Sequence, residues 1–165
     1  MQKKLRHLSM AALLAALIMV FTAFVGRIFL PGTGGYIHFG DSLIFLAACL
    51  LPKPYAVLAG VLGAGLADLL SPLPVYAIPT VAIKACIALL FSAKREKILC
   101  PRNALALLPA AVITLGGYYL AEWVIYSWAA ALATLPFNLL QAAGSAALFV
   151  LLAFAMDKAG LKKRV

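Results

Sequence analysis

Apolar residues run almost without interruption along the chain, and short polar or proline-containing stretches divide them into segments. The segments are apolar on every face, which indicates helices surrounded by lipid rather than the half-polar helices of a water-soluble domain. Six segments are predicted, at residues 8–25, 42–51, 55–70, 76–91, 105–128 and 136–156. The pattern therefore predicts an all-α membrane protein, a compact bundle of six transmembrane helices that forms a single domain over residues 1–165.

The first apolar segment follows Lys3, Lys4 and Arg6, an arrangement found both in secretory signal peptides and in first transmembrane helices. The segment is longer than the roughly 7–15 apolar residues of a signal peptide. Further membrane segments follow it, so a cleavable leader would serve no purpose. A transmembrane helix is favoured.

Composition and charge extend this interpretation. Hydrophobic residues make up 65% of the chain, the mean hydropathy is +1.05 and only 12% of residues are charged, about half of what a soluble domain carries. The net charge of +9 comes from basic residues at the amino terminus, at Lys53, in the 94–102 loop and in the carboxyl tail. All four fall on one side of a six-helix arrangement, and the positive-inside rule assigns that side to the cytoplasm. We expect a multi-pass cell-membrane protein with both termini in the cytoplasm and no nucleic-acid partner.

A polar and aromatic hexapeptide, residues 36–41, separates the first two apolar segments and contains Tyr36, His38 and Asp41. The stretch before it, residues 31–35, is rich in Gly and Pro, which predicts an irregular, mobile loop. We expect this hexapeptide on the outer side of the membrane, opposite the basic loops.

Four ionisable residues in or beside the apolar segments stand out, because a charge in the membrane costs roughly 2.5–3.5 kcal/mol on insertion scales. They are Asp41, Asp68, Lys84 and Glu122. For the two aspartates the structural alternative is helix capping or an interfacial position. For Lys84 and Glu122 it is an ion pair with each other.

Polar and aromatic residues also recur at helical spacing, so each of three predicted helices presents them on one face. The three stripes are Tyr76, Thr80 and Lys84; Tyr118, Glu122 and Tyr126; and Asn138, Gln141 and Ser145. In a bundle such stripes converge on an interior cavity, where aromatic rings stack on a planar ligand and polar groups fix its hydrogen bonds.

Signals for an enzyme are missing from the sequence. It contains no metalloprotease helix motif, no nucleophile elbow and no phosphate-binding Gly-rich loop, so we expect no catalytic residue, metal or cofactor. Cys49, Cys86 and Cys100 are widely spaced, which indicates packing residues rather than a disulfide framework or a zinc site. If the chain moves a solute with ATP, a separate polypeptide must supply the motor.

Small residues at four-residue spacing mark the first helix, at Ala11, Ala12, Ala15 and Ala16. They let another helix approach closely, either from a partner or within the same chain.

Several stretches together resemble the substrate-binding S-component of an energy-coupling factor (ECF) transporter. They are GGYIHFGD at 34–41, LAACLLP at 46–52, AGVLGAGLADLL at 59–70, PTVAIK at 79–84 and LPFNLLQ at 135–141. The resemblance covers most of the chain. It implies a six-helix protein that captures a water-soluble vitamin or precursor from outside, with the first loop as a lid. It also implies partners, namely a transmembrane coupling protein and two cytoplasmic ATPase subunits.

The resemblance assigns roles to individual residues. The four alanines of the first helix match a motif that faces the coupling protein, residues 36–41 become a gate and ligand wall, and Glu122, Tyr126, Asn138 and Gln141 become pocket residues. Two positions depart from the family pattern, Pro52-Lys53-Pro54 in place of a Gly-Pro turn and Phe137 in place of a small residue. The complete set of expected substrate-binding residues is Tyr36, His38, Asp41, Tyr76, Thr80, Lys84, Glu122, Tyr126, Asn138 and Gln141.

The excess of intramembrane acids over bases favours a neutral or cationic heteroaromatic ligand, such as a pyridoxine-like or hydroxymethylpyrimidine-like molecule, with riboflavin also open. One alternative function is a self-sufficient proton-coupled carrier that uses Asp41, Asp68 or Glu122. A membrane-assembly or scaffold protein is another, but it leaves the polar stripes unexplained.

Overall fold

A computed structural model describes residues 2–25, 27–29 and 36–164 of the chain. The long helices are α1 (Gln2–Val20, continued by a π-helical turn at Phe21–Val25), α2 (Asp41–Leu50), α3 (Lys53–Leu69), α4 (Ala77–Leu90), α6 (Leu107–Ile125) and α7 (Trp128–Lys158). The shorter elements are strands β1 (Arg27–Phe29) and β2 (Tyr36–His38), helix α5 (Pro101–Leu105) and 3₁₀ turns at Pro74–Tyr76 and Leu161–Arg164. The prediction of an all-α bundle is confirmed.

Proline determines the sharpest connection, between α2 and α3. Leu51 and Pro52 adopt extended backbone conformations, and Pro54 lies in the first turn of α3. Proline is tolerated at this position because the first helical N–H groups have no intrahelical partner to lose. Two helices therefore meet at a turn that contains only Lys53 as a charged residue.

Small residues bring the helices into close contact, as expected where lipid supplies no hydrophobic drive between helices. A Cβ added at Gly63 of α3 would lie 2.7 Å from the Ala15 carbonyl oxygen and 2.7 Å from the Ile18 Cβ, both in α1. One added at Gly117 of α6 would lie 2.6 Å from Ile83 Cγ1 in α4. The order of packing is α1 on α3, α3 on α4, α4 on α6 and α6 on α7, with α2 enclosed among them.

One end of the bundle, here called the basic end, contains the start of α1, the α2–α3 turn, the 92–100 loop and the end of α7. The His7 and Tyr55 rings lie 5.3 Å apart, which joins α1 to α3. Asp157 of α7 accepts hydrogen bonds from the backbone N–H groups of Ile98 and Leu99, both at 2.8 Å. The prediction that the basic segments share one side of the bundle is therefore consistent with these contacts.

The opposite end, here called the cavity end, contains the β-hairpin and the α6–α7 turn. Strands β1 and β2 pair antiparallel, with Ile28 opposite Ile37. The hydrophobic pattern gave no signal of these strands. The predicted mobile loop at 31–35 lies outside the described residues.

Two expectations about helix boundaries need correction. The sixth segment was predicted to begin at Pro136, but α7 begins at Trp128 and includes Pro136 in its interior. Ser127 caps the helix by accepting a hydrogen bond from the Ala130 N–H at 3.2 Å. Membrane helices tolerate an internal proline because neighbouring groups satisfy the carbonyl that it frees. The fifth segment, in turn, breaks at Ala106 and ends at Ile125.

Helix lengths differ more than the sequence suggested. By length and composition, three of the described helical stretches can cross a membrane alone: Gln2–Val25, Pro101–Ile125 and Trp128–Lys158. The ten residues of α2 extend only about 15 Å, half the roughly 30 Å of a hydrocarbon core. Because α2 ends at the basic end, its first residue lies near the middle of the bundle, and the space beyond it is left for other structure.

The alanines of α1 divide between two faces. Ala11 and Ala15 are buried inside the protein, and the Ala15 carbonyl contacts α3. Ala12 and Ala16 are exposed. Ala11 and Ala15 therefore serve packing within the chain, and Ala12 and Ala16 are open to contact with a partner helix.

Candidate functional site

A cavity of about 500 Å³ lies at the cavity end, in the space that the short helix α2 leaves open. This volume falls within the range of small-molecule sites. Its walls come from β2, the 71–76 segment and helices α3, α4, α6 and α7. The lining residues are Ile37, His38, Asp68, Ser71, Leu73, Tyr76, Thr80, Tyr118, Glu122, Tyr126, Ala130, Ala133, Thr134, Phe137, Asn138 and Gln141.

Glu122 forms the polar centre of one wall. It is buried, and its carboxylate accepts hydrogen bonds from the Tyr76 hydroxyl at 3.4 Å and from the Thr134 hydroxyl. The Asn138 amide also interacts with this carboxylate, although its nitrogen makes no hydrogen bond of good geometry within the described residues. Hydroxyl donors rotate freely, so they can turn from the carboxylate to a ligand without any change in the backbone.

His38 is held from both sides by hydrogen bonds. Its backbone N–H donates to Gln141 Oε1 at 3.1 Å, and its Nδ1 accepts from the Gly40 N–H at 3.2 Å. An accepting Nδ1 leaves the proton of a neutral imidazole on Nε2. The strand is thereby tied to α7, and the Gln141 amide keeps its NH₂ donors for other groups.

Aromatic side chains lie beside Glu122 in the cavity wall. The Tyr76 ring lies 6.4 Å from the Tyr118 ring and 6.3 Å from the Tyr126 ring. The Tyr118 hydroxyl and the Thr80 hydroxyl are 3.0 Å apart and share a hydrogen bond, which joins α6 to α4. The wall therefore offers flat apolar surface together with polar edges, the combination that suits a planar heteroaromatic molecule.

Asp41 and Lys84 are not among the residues that line the cavity. Both are buried, and Lys84 Nζ lies 2.8 Å from Asp41 Oδ1 and donates to Oδ2 at 2.9 Å. The ion pair considered for Lys84 and Glu122 is therefore wrong, since Lys84 pairs with the first residue of α2. Asp41 and Lys84 are therefore not brought to the cavity wall with the other expected residues, and their role in binding stays a prediction.

The charge of the cavity limits what it can bind. Its described lining includes two carboxylates, Asp68 and Glu122, and no lysine or arginine. Within the described residues no group of three His, Cys, Asp or Glu side chains is arranged to hold a metal ion. The arrangement therefore suits a neutral or cationic molecule that donates hydrogen bonds, rather than an anion.

Most of the expected site residues meet at the cavity, although their role in binding stays a prediction. His38, Tyr76, Thr80, Glu122, Tyr126, Asn138 and Gln141 line it. Tyr126 lies one residue beyond α6 and is half exposed, so it does not extend the helical stripe as expected. Of Tyr36 only the backbone, in β2, is described.

Nine of the lining residues were absent from the expected set, and three of them, Tyr118, Asp68 and Thr134, bear on how the cavity could be predicted. Tyr118 belongs to the same stripe as Glu122, so its spacing already pointed to it. Asp68 was recognised as a costly membrane carboxylate but not placed in the pocket. Thr134 precedes Asn138 by one helical turn, and it was missed because the helix was expected to begin after it.

The chain is similar to a known protein family. A family model described as "ECF-type riboflavin transporter, S component" matches residues 2–158, and a search of curated proteins found no match. The family is a component of a membrane transporter, which agrees with the apolar helices. Because the match covers nearly the whole chain, this protein belongs to the ECF-type riboflavin transporter S-component family and is a substrate-specific membrane subunit of an ECF transporter.

Proposed function

We propose that the chain binds riboflavin in the cavity and hands it to an ATP-driven coupling module for import. The observation that supports this most is the cavity itself, which combines flat aromatic surface with carboxylate and amide groups. The family description names the same vitamin. We favour riboflavin over the single-ring ligands expected from the sequence, because a pyridoxine-like or pyrimidine-like molecule would leave much of about 500 Å³ empty.

Riboflavin has two chemically different parts, and each matches part of the wall. Its planar ring system suits the Tyr76, Tyr118 and Tyr126 rings, and the imide edge of the ring suits the Asn138 and Gln141 amides. Its polyol chain donates hydrogen bonds, which carboxylates such as Glu122 accept strongly. The vitamin is neutral, in keeping with a described lining that has carboxylates but no basic side chain.

The cavity end faces the outside in this proposal, and both termini face the cytoplasm. The support is the distribution of charge, since the basic segments lie at the end opposite the cavity. Strand β2 supplies part of the cavity wall through Ile37 and His38, so the hairpin region is suited to act as a lid over a ligand that enters from outside.

Partner docking is proposed for the exposed alanines of α1. Ala12 and Ala16 lie on the side of α1 that is exposed on the protein surface, where a helix of the coupling protein can approach closely. We expect Ala12→Leu to weaken co-purification with the coupling protein and the two ATPase subunits while riboflavin affinity stays unchanged. Recovery of the complex in equal amounts with the original protein and with the Ala12→Leu variant would argue against this surface.

The binding proposal is tested by titrating purified protein with riboflavin and following the quenching of flavin fluorescence. The temperature of thermal unfolding should rise as riboflavin is added, because a ligand at 100 times its Kd stabilises the folded state by about 2.7 kcal/mol. Pyridoxine and hydroxymethylpyrimidine serve as comparison ligands. Binding of either one in place of riboflavin would overturn the choice of vitamin, and no response to any micronutrient would overturn the proposal.

The alternative function is a proton-coupled carrier, which the two carboxylates in the described cavity lining would suit. The same purified protein can distinguish the two functions. Reconstituted alone in vesicles, an S-component should bind riboflavin without accumulating it. Uptake that dissipates an imposed pH gradient, with no ATPase present, would favour the carrier.

A further inference from the structure

The ion pair between Asp41 and Lys84 is the most deeply buried charged feature of the described residues, with exposed fractions of 1% and 0%. Stability alone does not account for such a pair. Removing two charges from water costs about as much as their attraction returns, and apolar replacements of similar shape are often neutral or stabilising. The groups that the pair connects indicate a different role.

On one side the pair controls where the lid strand meets α2. Asp41 is the first residue of α2 and follows a short, tightly bonded segment. The Gly40 N–H donates to the His38 ring, and the Ser42 hydroxyl donates to the Phe39 carbonyl at 2.7 Å. Because these bonds stiffen the segment, the position of Asp41 sets the position of His38 in the cavity wall.

On the other side the pair reaches the aromatic wall. Lys84 Nζ lies 5.0 Å from the centroid of the Tyr118 ring, within the range of a cation–π contact. The Tyr118 hydroxyl bonds to Thr80, one helical turn from Lys84 in α4. Lys84 of α4 therefore contacts both the Asp41 carboxylate of α2 and the Tyr118 ring of α6.

We propose that the Asp41–Lys84 pair is a positioning clamp that holds the lid residue His38 and the wall residue Tyr118 in register for ligand binding. Neither charged residue touches the ligand. The inference rests on the proposed function, because the ligand that benefits is the vitamin in the cavity. It goes further in assigning the buried charges to lid placement rather than to ligand contact.

The test replaces the pair with apolar residues of similar shape, Asp41→Leu with Lys84→Met, alone and together. Each single variant leaves one buried charge without its partner and should unfold at lower temperature. The double variant should recover stability close to that of the original protein. Its riboflavin affinity should nevertheless stay at least tenfold weaker, whereas a merely structural pair predicts that affinity returns together with stability.

A second measurement needs no ligand. Amide hydrogen exchange at His38 and Gly40, whose N–H groups donate to Gln141 and to the His38 ring, should become at least tenfold faster in the double variant. Exchange in α7 should be unchanged. Unaltered exchange at both amides would overturn the clamp, even if the original protein binds no riboflavin and the proposed vitamin is thereby rejected.

Two further variants complete the experiment. Phe149 packs against Phe45 and Phe91 and does not line the cavity, so Phe149→Leu should lower stability without changing affinity or exchange at His38. If the double variant does not fold, Lys84→Arg keeps the charge pair but places a larger planar group beside Tyr118. Weaker affinity with faster exchange at Gly40 would then support the clamp, and original values for both would overturn it.

Discussion

The two asparagines of the chain lie at opposite ends of the bundle and have very different partners. At the basic end, Asn103 accepts from the Ser92 N–H at 3.0 Å and donates to the carbonyl groups of Ser92 and Ile98. At the cavity end, Asn138 is buried in the wall, and its side-chain nitrogen makes no hydrogen bond of good geometry within the described residues. The Asn103 amide is used by the fold, whereas the Asn138 nitrogen faces the cavity region without a hydrogen bond of good geometry within the described residues.

The carboxylates repeat this contrast. Asp157 at the basic end binds two backbone N–H groups, whereas Glu122 at the cavity end binds the hydroxyls of Tyr76 and Thr134. Backbone donors are fixed by the chain, while hydroxyl donors rotate. The comparison teaches that the partner, more than the residue type, separates a polar group that holds the fold from one that is ready to bind.

The asparagines should give the largest difference. Asn103→Ala removes three hydrogen bonds to backbone groups, one buried and two part-buried, and should lower the free energy of unfolding by about 3 kcal/mol. Asn138→Ala should change stability by less than about 1 kcal/mol but weaken riboflavin binding about tenfold or more. Thermal unfolding and fluorescence titration measure the two effects, and equal destabilisation by both variants would break the comparison.

The carboxylates should give a smaller difference of the same kind. Asp157→Asn turns one accepting oxygen into a donor that faces a backbone N–H, and we expect a loss of about 1.5–3 kcal/mol in stability. Glu122→Gln should instead weaken riboflavin binding about tenfold, equivalent to about 1.4 kcal/mol. A Glu122→Gln protein with full affinity would remove this carboxylate from the site.

The boundary between the two regions can be located with adjacent glycines of α6. Gly117→Ala places a methyl group against Ile83 and should cost about 1–3 kcal/mol in stability. Since it also pushes α4 from α6 near the Thr80–Tyr118 bond, affinity should fall as well. Gly116→Ala is the matched control, because nothing lies within 4 Å of its added Cβ, and it should leave both quantities nearly unchanged.

The smallest effect is expected from a single hydroxyl. Thr134→Val removes a donor to Glu122 and should weaken riboflavin binding by about 0.5–1.5 kcal/mol, with little change in stability. Thr114→Val is its control, since Thr114 is buried in α6 but does not line the cavity. An affinity loss from Thr114→Val of the same size would show that the wall is less local than the comparison implies.

Hydrophobic runs and punctuating prolines were enough to predict the six-helix bundle, because lipid imposes helices wherever the backbone cannot reach water. Helical spacing also predicted seven of the sixteen described lining residues, including Glu122, Asn138 and Gln141. Both signals are local, and each depends only on neighbours in the chain.

The remaining features depend on distant contacts. Lys84 is separated from Asp41 by 43 residues, and no periodicity distinguishes that partner from Glu122. The start of α7 was misplaced because Pro136 normally ends a helix in water, whereas here α7 continues through it. The short hairpin was missed because three-residue strands are too short to show alternation.

Helix α7 has a consequence that concerns the bilayer itself. Its 31 residues extend about 46 Å, well beyond a hydrocarbon core of about 30 Å. Such a helix adapts to hydrophobic mismatch by tilting, and the tilt changes with membrane thickness. Because α7 carries Asn138 and Gln141, the acyl-chain length of the surrounding lipids should influence the affinity of the cavity for its ligand.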